Sequence, residues 1–264
     1  MPPIEHDRVA AAMAEQLTYY RRVAADFDRH ANPPLLTQVT SRLRGRVNFS
    51  GDVLEIACGA GQWSQHLAQS ARSFTALDAA PEMLEFARRR LQGPSAGEVE
   101  LICTDVFDWR PQKRYQAVFF AFWLSHVPPA RFEAFWQLVR ACLTPNGRAA
   151  FVDDSPKAAV FENDMDLDEE LPTVGRRLRG EVWNRGWRPV SALESPAGGG
   201  AEFERLPGPA APADPGTADH RVVKVFYEAE GLARRLAGLG WTAEVEPLGE
   251  TFIVGWAGPT VNLV

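Results

Sequence analysis

The sequence has no hydrophobic run long enough to cross a membrane. Its longest purely apolar stretch, residues 117–124, is eight residues, against the roughly 20 that a spanning helix needs. The opening segment Met1-Pro2-Pro3-Ile4-Glu5-His6-Asp7-Arg8 carries no apolar core of the kind a secretory leader requires, so a cytoplasmic protein is expected. Cysteine is scarce. The three present, an odd number at no metal-ligand spacing, exclude a disulfide framework and fit a reducing compartment. Positive charge is in deficit, with 28 Lys and Arg against 34 Asp and Glu for a net −6. A dedicated nucleic-acid binder usually presents a basic face, so none is expected as partner. What the chain has in excess is glycine and proline, 21 and 20.

Apolar residues at Val9, Met13, Leu17, Tyr20, Val23, Ala24 and Phe27 recur at helical spacing, predicting an amphipathic helix over 5–28 that breaks toward Asp26 and Asp28. A shorter helix over 35–44 follows the Asn32-Pro33-Pro34 punctuation. From residue 51 strand and helix patterns alternate. Strands are expected at 53–56, 74–77, 99–104, 115–121 and 149–152. The helix begun by Pro81 has Glu82 in its first turn and Arg88, Arg89 and Arg90 in its last, an order that suits the helix dipole. Phe132, Phe135, Trp136, Val139, Cys142 and Leu143 mark another helix, and Pro145-Asn146-Gly147 turns into the fifth strand. This rhythm predicts a parallel, doubly wound sheet. It breaks at 155–227, which opens acidic and continues with Arg176, Arg177, Arg179, Trp183 and Trp187. Residues 189–220 hold six prolines and five glycines and read as a mobile loop. A strand at 222–226, a helix at 228–239 and strands at 241–245 and 251–256, set around Pro247 and Gly249, close the chain.

The chemistry concentrates in three places. Val53-Leu54-Glu55-Ile56-Ala57-Cys58-Gly59-Ala60-Gly61 is a strand-to-helix turn whose glycines let a ligand approach the backbone. Asp78 ends the next strand, where a carboxylate can accept both ribose hydroxyls. Asp105 ends the third, where an acid can accept from an adenine amino group. All three lie at carboxyl ends of strands, where open α/β sheets bind ligands.

Glu55-x-Ala57-Cys58-Gly59-x-Gly61, then Leu77-Asp78-Ala79 with Pro81-Glu82-Met83-Leu84, then Asp105, resembles the class I S-adenosylmethionine (SAM)-dependent methyltransferases. The resemblance covers 45–154 and 228–256. It implies a Rossmann-like, mostly parallel seven-stranded sheet with an N-terminal helical cap (1–44) and an inserted substrate lid (155–227). It also implies SAM as cofactor and S-adenosylhomocysteine (SAH) as product. By that resemblance Glu55, Gly59 and Gly61 serve the methionine part of the cofactor, Asp78 the ribose and Asp105 the adenine, with Met83 beside it. Ala57, Cys58, Trp63, Ala79, Val106, Phe107 and Ala121 complete the expected cofactor set. Tyr20, on a helix that closes over the cofactor in many members, would bond its carboxylate. Ala57 departs from the glycine many members have. A dinucleotide loop would want a third glycine where Ser64 stands.

Strand four ends in Ala121-Phe122-Trp123-Leu124-Ser125-His126-Val127-Pro128-Pro129. It lacks the Asn/Asp-Pro-Pro-aromatic grip on an amide nitrogen, and it lacks acids for a metal. A metal-independent enzyme acting on a small, apolar or aromatic metabolite is therefore expected, of a type often met in bacterial natural-product pathways. His126 is the expected base, since an imidazole near its ordinary pKa of about 6.5 accepts a proton near neutrality. Asp153 or Asp154 is the alternative. Phe122, Trp123, Trp183, Trp187, Phe226 and Tyr227 are expected to line the substrate pocket, and the Arg176–Arg179 cluster to be a solvated face. The rival reading keeps fold and cofactor but makes the reaction a cyclisation or rearrangement.

Overall fold

The computed structural model describes residues 3–29, 33–93, 97–162, 165–166, 168–176, 187–189, 203–205 and 220–260. Two helices lead, α1 (Pro3–Arg29) and α2 (Pro33–Leu43). α1 runs through Asp26 without the expected break. The alternating part follows as β1 (Asp52–Ile56), α3 (Ser64–Leu67), β2 (Ser73–Asp78), α4 (Pro81–Arg90), β3 (Glu98–Cys103), β4 (Tyr115–Ala121), α5 (Phe132–Cys142) and β5 (Leu143–Asp154). Then come β6 (Met165–Asp166), β7 (Thr173–Arg176), β8 (Trp187–Pro189), β9 (Phe203–Arg205), β10 (His220–Val223), α6 (Ala229–Gly238), β11 (Trp241–Leu248) and β12 (Phe252–Pro259).

Seven strands form one sheet in the order β11-β12-β5-β4-β1-β2-β3. β1 through β5 pair in parallel, and β12 runs antiparallel to both β5 and β11. The strand order reverses between β1 and β4, and the crevice that opens at their carboxyl ends is where such sheets take ligands. Both faces are covered, which is why Val53, Leu54, Ala117, Val118, Phe119 and Phe120 are all fully buried. One face packs Phe120, Phe135, Trp136 and Trp241 beneath α5 and α6. Phe120 stacks on Phe151 at 5.5 Å, and Trp136 meets Trp241 edge-on at 5.0 Å. The other face packs Val39, Phe119 and Trp256 beneath α2.

Two local expectations are corrected. Pro145-Asn146-Gly147 is not a turn ahead of the fifth strand but an irregularity inside β5, with the pairing shifting between Tyr115 and Ala117. Gly147 is needed there, because a Cβ would lie 2.8 Å from the Tyr115 carbonyl oxygen. Pro247 sits inside β11 rather than between strands. β11 is an edge strand, so a residue without N–H costs the ladder nothing on its open side.

Between β5 and α6, the strands β10, β7 and β6 form a small antiparallel sheet, with β10 against α1. Val9 packs with Val223, and Tyr19 and Val23 with Val174 and Val222. α1 thus has two apolar faces rather than one stripe. The second, with Leu17, Tyr20 and Ala24, meets Ala60, Ala80 and Met83 at the start of α4. Within the stretch read as a loop, β9 pairs with β8. The rest of 189–220 lies outside the described residues.

Candidate active site

A cavity of about 350 Å³ opens where β1, β2, β3 and β4 end, roofed by α1 with Arg176 of β7 and Lys224 just past β10. Its cofactor-side wall brings together Glu55, Ala57, Cys58, Gly59, Trp63, Asp78, Ala79, Met83, Asp105, Val106 and Ala121. The turn after β1 is held in an unusual backbone shape. Ala57, Gly59 and Gly61 have φ of +53°, +55° and +80°, a region that costs an L residue about 1–2 kcal/mol and glycine almost nothing. Gly59 has open space where a Cβ would stand. Gly61 serves packing instead, because a Cβ there would come within 2.8 Å of the Ala87 Cα of α4.

Asp78 orders this turn. Its Oδ2 accepts the Gly59 N–H and its Oδ1 the Ala80 N–H, both at 2.8 Å. Burial nonetheless pushes its pKa up to about 6. Glu55 is almost wholly buried and accepts the Ser64 hydroxyl at 2.5 Å. Burial pushes it up to about 8, with the nearby Asp78 carboxylate adding to the rise. Burial likewise pushes the Cys58 thiol well up. Asp105 accepts the Phe107 N–H at 2.8 Å. The Phe107 ring packs on Phe135, and Phe107 is not among the residues lining the cavity.

The other wall carries Phe122, Trp123, His126, Asp154, Glu162, Arg176 and Lys224. Phe122 has φ +54°, a strained value for a bulky residue, and is anchored by its N–H donating to the Val152 carbonyl at 2.8 Å. Lys224 is 4% exposed and reaches Asp154 at 2.7 Å and the Ser125 hydroxyl at 3.1 Å. Arg176 forms a buried ion pair with Glu162. Arg176 is therefore not part of a solvated face; Arg177 and Arg179 lie outside the described residues. Among the described residues no group of three or more His, Cys, Asp and Glu could hold a metal ion, and no helix is long and apolar enough to cross a membrane.

His126 sits in the short turn after β4. Its Nδ1 lies 2.7 Å from the Val223 carbonyl oxygen and its Nε2 lies 2.8 Å from the Tyr20 hydroxyl. A carbonyl only accepts, so Nδ1 carries the proton. In the neutral ring Nε2 then accepts, and Tyr20 donates. Burial, with Lys224 next in weight, pushes His126 down to about 3. The expected free imidazole near 6.5 is thus replaced by a neutral ring engaged on both nitrogens. Asp153 is corrected as well. It is fully buried off the cavity wall, accepting the Ser125 N–H at 2.9 Å and the Asp154 N–H at 2.8 Å, and burial lifts it to about 6. It shapes the loop.

Of the expected substrate residues, Phe122 and Trp123 line the cavity. Tyr227 is core, packed on Phe132 at 5.7 Å, and Phe226 lies under the Lys224 ammonium at 5.5 Å, off the cavity wall. Trp183 is outside the described residues, and of Trp187 only its place in β8 is described. Sequence reasoning missed Gln16, Arg176, Glu162 and Lys224. Lys224 had a signal: it is a lone charge inside Val222-Val223-Lys224-Val225-Phe226. Gln16, 3% exposed, had none.

A family model described as "Methyltransferase domain" matches residues 53–147. Two solved structures resemble nearly the whole chain. The DhpI–SAH complex is 32% identical, covering 95% of this chain and 98% of that one, with a TM-score of 0.68. The DhpI–SAM–HEP complex is 33% identical over 94% and 98%, also with a TM-score of 0.68. The PH0226 protein of Pyrococcus horikoshii OT3, at 19% identity over 92% and 99% with a TM-score of 0.63, shares the fold. No curated protein matches the chain. The chain belongs to the class I SAM-dependent methyltransferases. Its cofactor is SAM and its product SAH, and the wall from Glu55 to Ala121 fits such a ligand. Gly59 has open space beside it, Asp78 and Asp105 stand at successive strand ends, and Met83 and Val106 supply apolar flanks.

Proposed function

We propose that this enzyme transfers the methyl group of SAM to an oxygen or nitrogen of a small, polar metabolite, without a metal. The observation that carries the reading is the acceptor wall. Two ion pairs, Lys224–Asp154 and Arg176–Glu162, are kept from water beside Phe122 and Trp123. These charges are matched by one another, and their remaining donor and acceptor capacity can be used by a polar acceptor but not by an apolar one. This replaces the expectation of an apolar or aromatic acceptor. That one related structure holds HEP together with SAM accords with a second ligand beside the cofactor.

SAM supplies an electrophilic methyl on a sulfonium. Asp78 would hold the ribose, Asp105 and Met83 the adenine, and the Gly59 turn the methionine chain. The protein's further contribution is alignment and exclusion of water beneath α1 and β10. Two measurements test the reading. Asp78→Ala should lower SAH affinity at least 30-fold by calorimetry, and unchanged affinity would remove Asp78 from the cofactor site. SAH formation should be seen with small hydroxy or amino compounds; turnover confined to apolar aromatics would refute the polar acceptor.

A further inference from the structure

The cap is joined to the strand-four loop by a closed ring of hydrogen bonds that no cofactor contact requires. Gln16 Nε2 donates to the His126 carbonyl at 3.3 Å, His126 Nδ1 donates to the Val223 carbonyl at 2.7 Å, and the Val223 N–H donates to Gln16 Oε1 at 3.1 Å. Three segments distant in sequence meet here: α1, the turn after β4, and β10. The ring fixes which His126 nitrogen carries the proton. It thereby fixes the direction of the 2.8 Å contact with Tyr20, whose hydroxyl must donate to Nε2. A tyrosine whose proton is committed in this way meets a ligand through its oxygen, as an acceptor. It is poorly suited to bond the carboxylate of a cofactor, which also only accepts.

We propose, building on the methyl-transfer reading, that Tyr20 serves the methyl acceptor rather than the cofactor carboxylate: its oxygen receives the proton the acceptor loses, and His126 acts through it. The acceptor's O–H or N–H bond breaks and its proton passes to Tyr20 Oη. The original Tyr20 proton passes to His126 Nε2. The acceptor's lone pair forms the bond to the methyl carbon, and the C–S bond breaks with its pair left on sulfur. One positive charge leaves the sulfonium and one arises on the imidazole, so the cavity carries the same net charge before and after. The charged groups facing His126 are Lys224, Arg176 and Glu162. Burial, with Lys224 and Arg176, holds the ring neutral at rest, while Glu162 favours the charged form; the loss of the sulfonium charge offsets the imidazolium that forms. Gln16 is a positioning residue, because it acts by holding the ring.

The test uses SAH as ligand, so it does not wait on the acceptor. In the ¹⁵N NMR spectrum of the SAH complex, His126 should carry its proton on Nδ1, and its Nε2 resonance should move by several ppm in Tyr20→Phe. Calorimetry should give Tyr20→Phe an SAH affinity within threefold of wild type. A proton on Nε2, an Nε2 signal indifferent to Tyr20→Phe, or a tenfold loss of SAH affinity would each overturn the proposal while leaving the methyltransferase reading intact. Failure of wild type to bind SAH would overturn both. With any compound that yields SAH, Tyr20→Phe and His126→Ala should each lower kcat at least 30-fold with KM for SAM held within threefold. The double variant should be no slower than the worse single one, as for groups acting as a unit. Additive losses would overturn the relay.

Discussion

Raising the pH from 6.5 to 8 should destabilise this protein through one residue, Glu55. Its carboxyl is 1% exposed and burial pushes its pKa up to about 8, against 4.5 for the free side chain. Between these values the folded chain keeps a proton that the unfolded chain has released. The native state therefore binds more protons, and stability falls as pH rises. Each pH unit is worth about 1.4 kcal/mol of linkage for a single group. The fall across this window is about 1.5 kcal/mol, because the curve bends as the folded pKa is approached. Glu55 dominates this window. Asp78 and Asp153, raised to about 6, have largely ionised by its lower edge. His126, lowered to about 3, is still half protonated in the unfolded chain at pH 6.5, so it adds about 0.4 kcal/mol of stability by pH 8, which the last ionisation of Asp78 and Asp153 roughly offsets. Urea unfolding at half-unit pH steps should show the midpoint dropping by about 0.5 M, for an m-value of about 3 kcal/mol/M. Glu55→Gln keeps the shape and can still bond Ser64, and it should abolish the slope. A flat midpoint in wild type, or an equal slope in Glu55→Gln, would refute the assignment.

Lys224→Met should cost about 3 kcal/mol, since it leaves Asp154 without its cation beside the fully buried Asp153. Adding Asp154→Leu should restore at least half, whereas a single-variant loss below 1 kcal/mol in chemical denaturation would show that the pair is solvated. Ala57→Gly should stabilise by about 0.5–1 kcal/mol, because relief at φ +53° exceeds the added freedom of the unfolded chain. A lower urea midpoint for that variant would mean that the methyl group packs more than the backbone strains.

The sheet was legible because its signals are local. Apolar runs bounded by turn residues mark β1 to β5, and β4 falls on the expected 115–121. Proline ahead of α4 and arginines at its end fix that helix, while Gly59, Asp78 and Asp105 mark one wall of the cavity by their positions at strand ends. Boundaries were less legible, as in β5, where Pro145 and Gly147 resemble a turn until Tyr115 is seen to need the bulge.

The acceptor side was not legible in the same way. Tyr20, His126, Val223 and Gln16 are up to 207 residues apart and carry no shared spacing. Arg176 reads as surface charge until Glu162 is folded beside it, and Asp153 reads as a base until Ser125 and Asp154 are seen to occupy its oxygens. By itself, then, the sequence determined the sheet, the cofactor and the class of chemistry, because those follow from residue types at short fixed intervals. Which charges are buried and which nitrogen of His126 holds the proton were decided only when α1 and β10 packed against the end of β4. Desolvation and hydrogen-bond direction are properties of the assembled neighbourhood and of no segment alone.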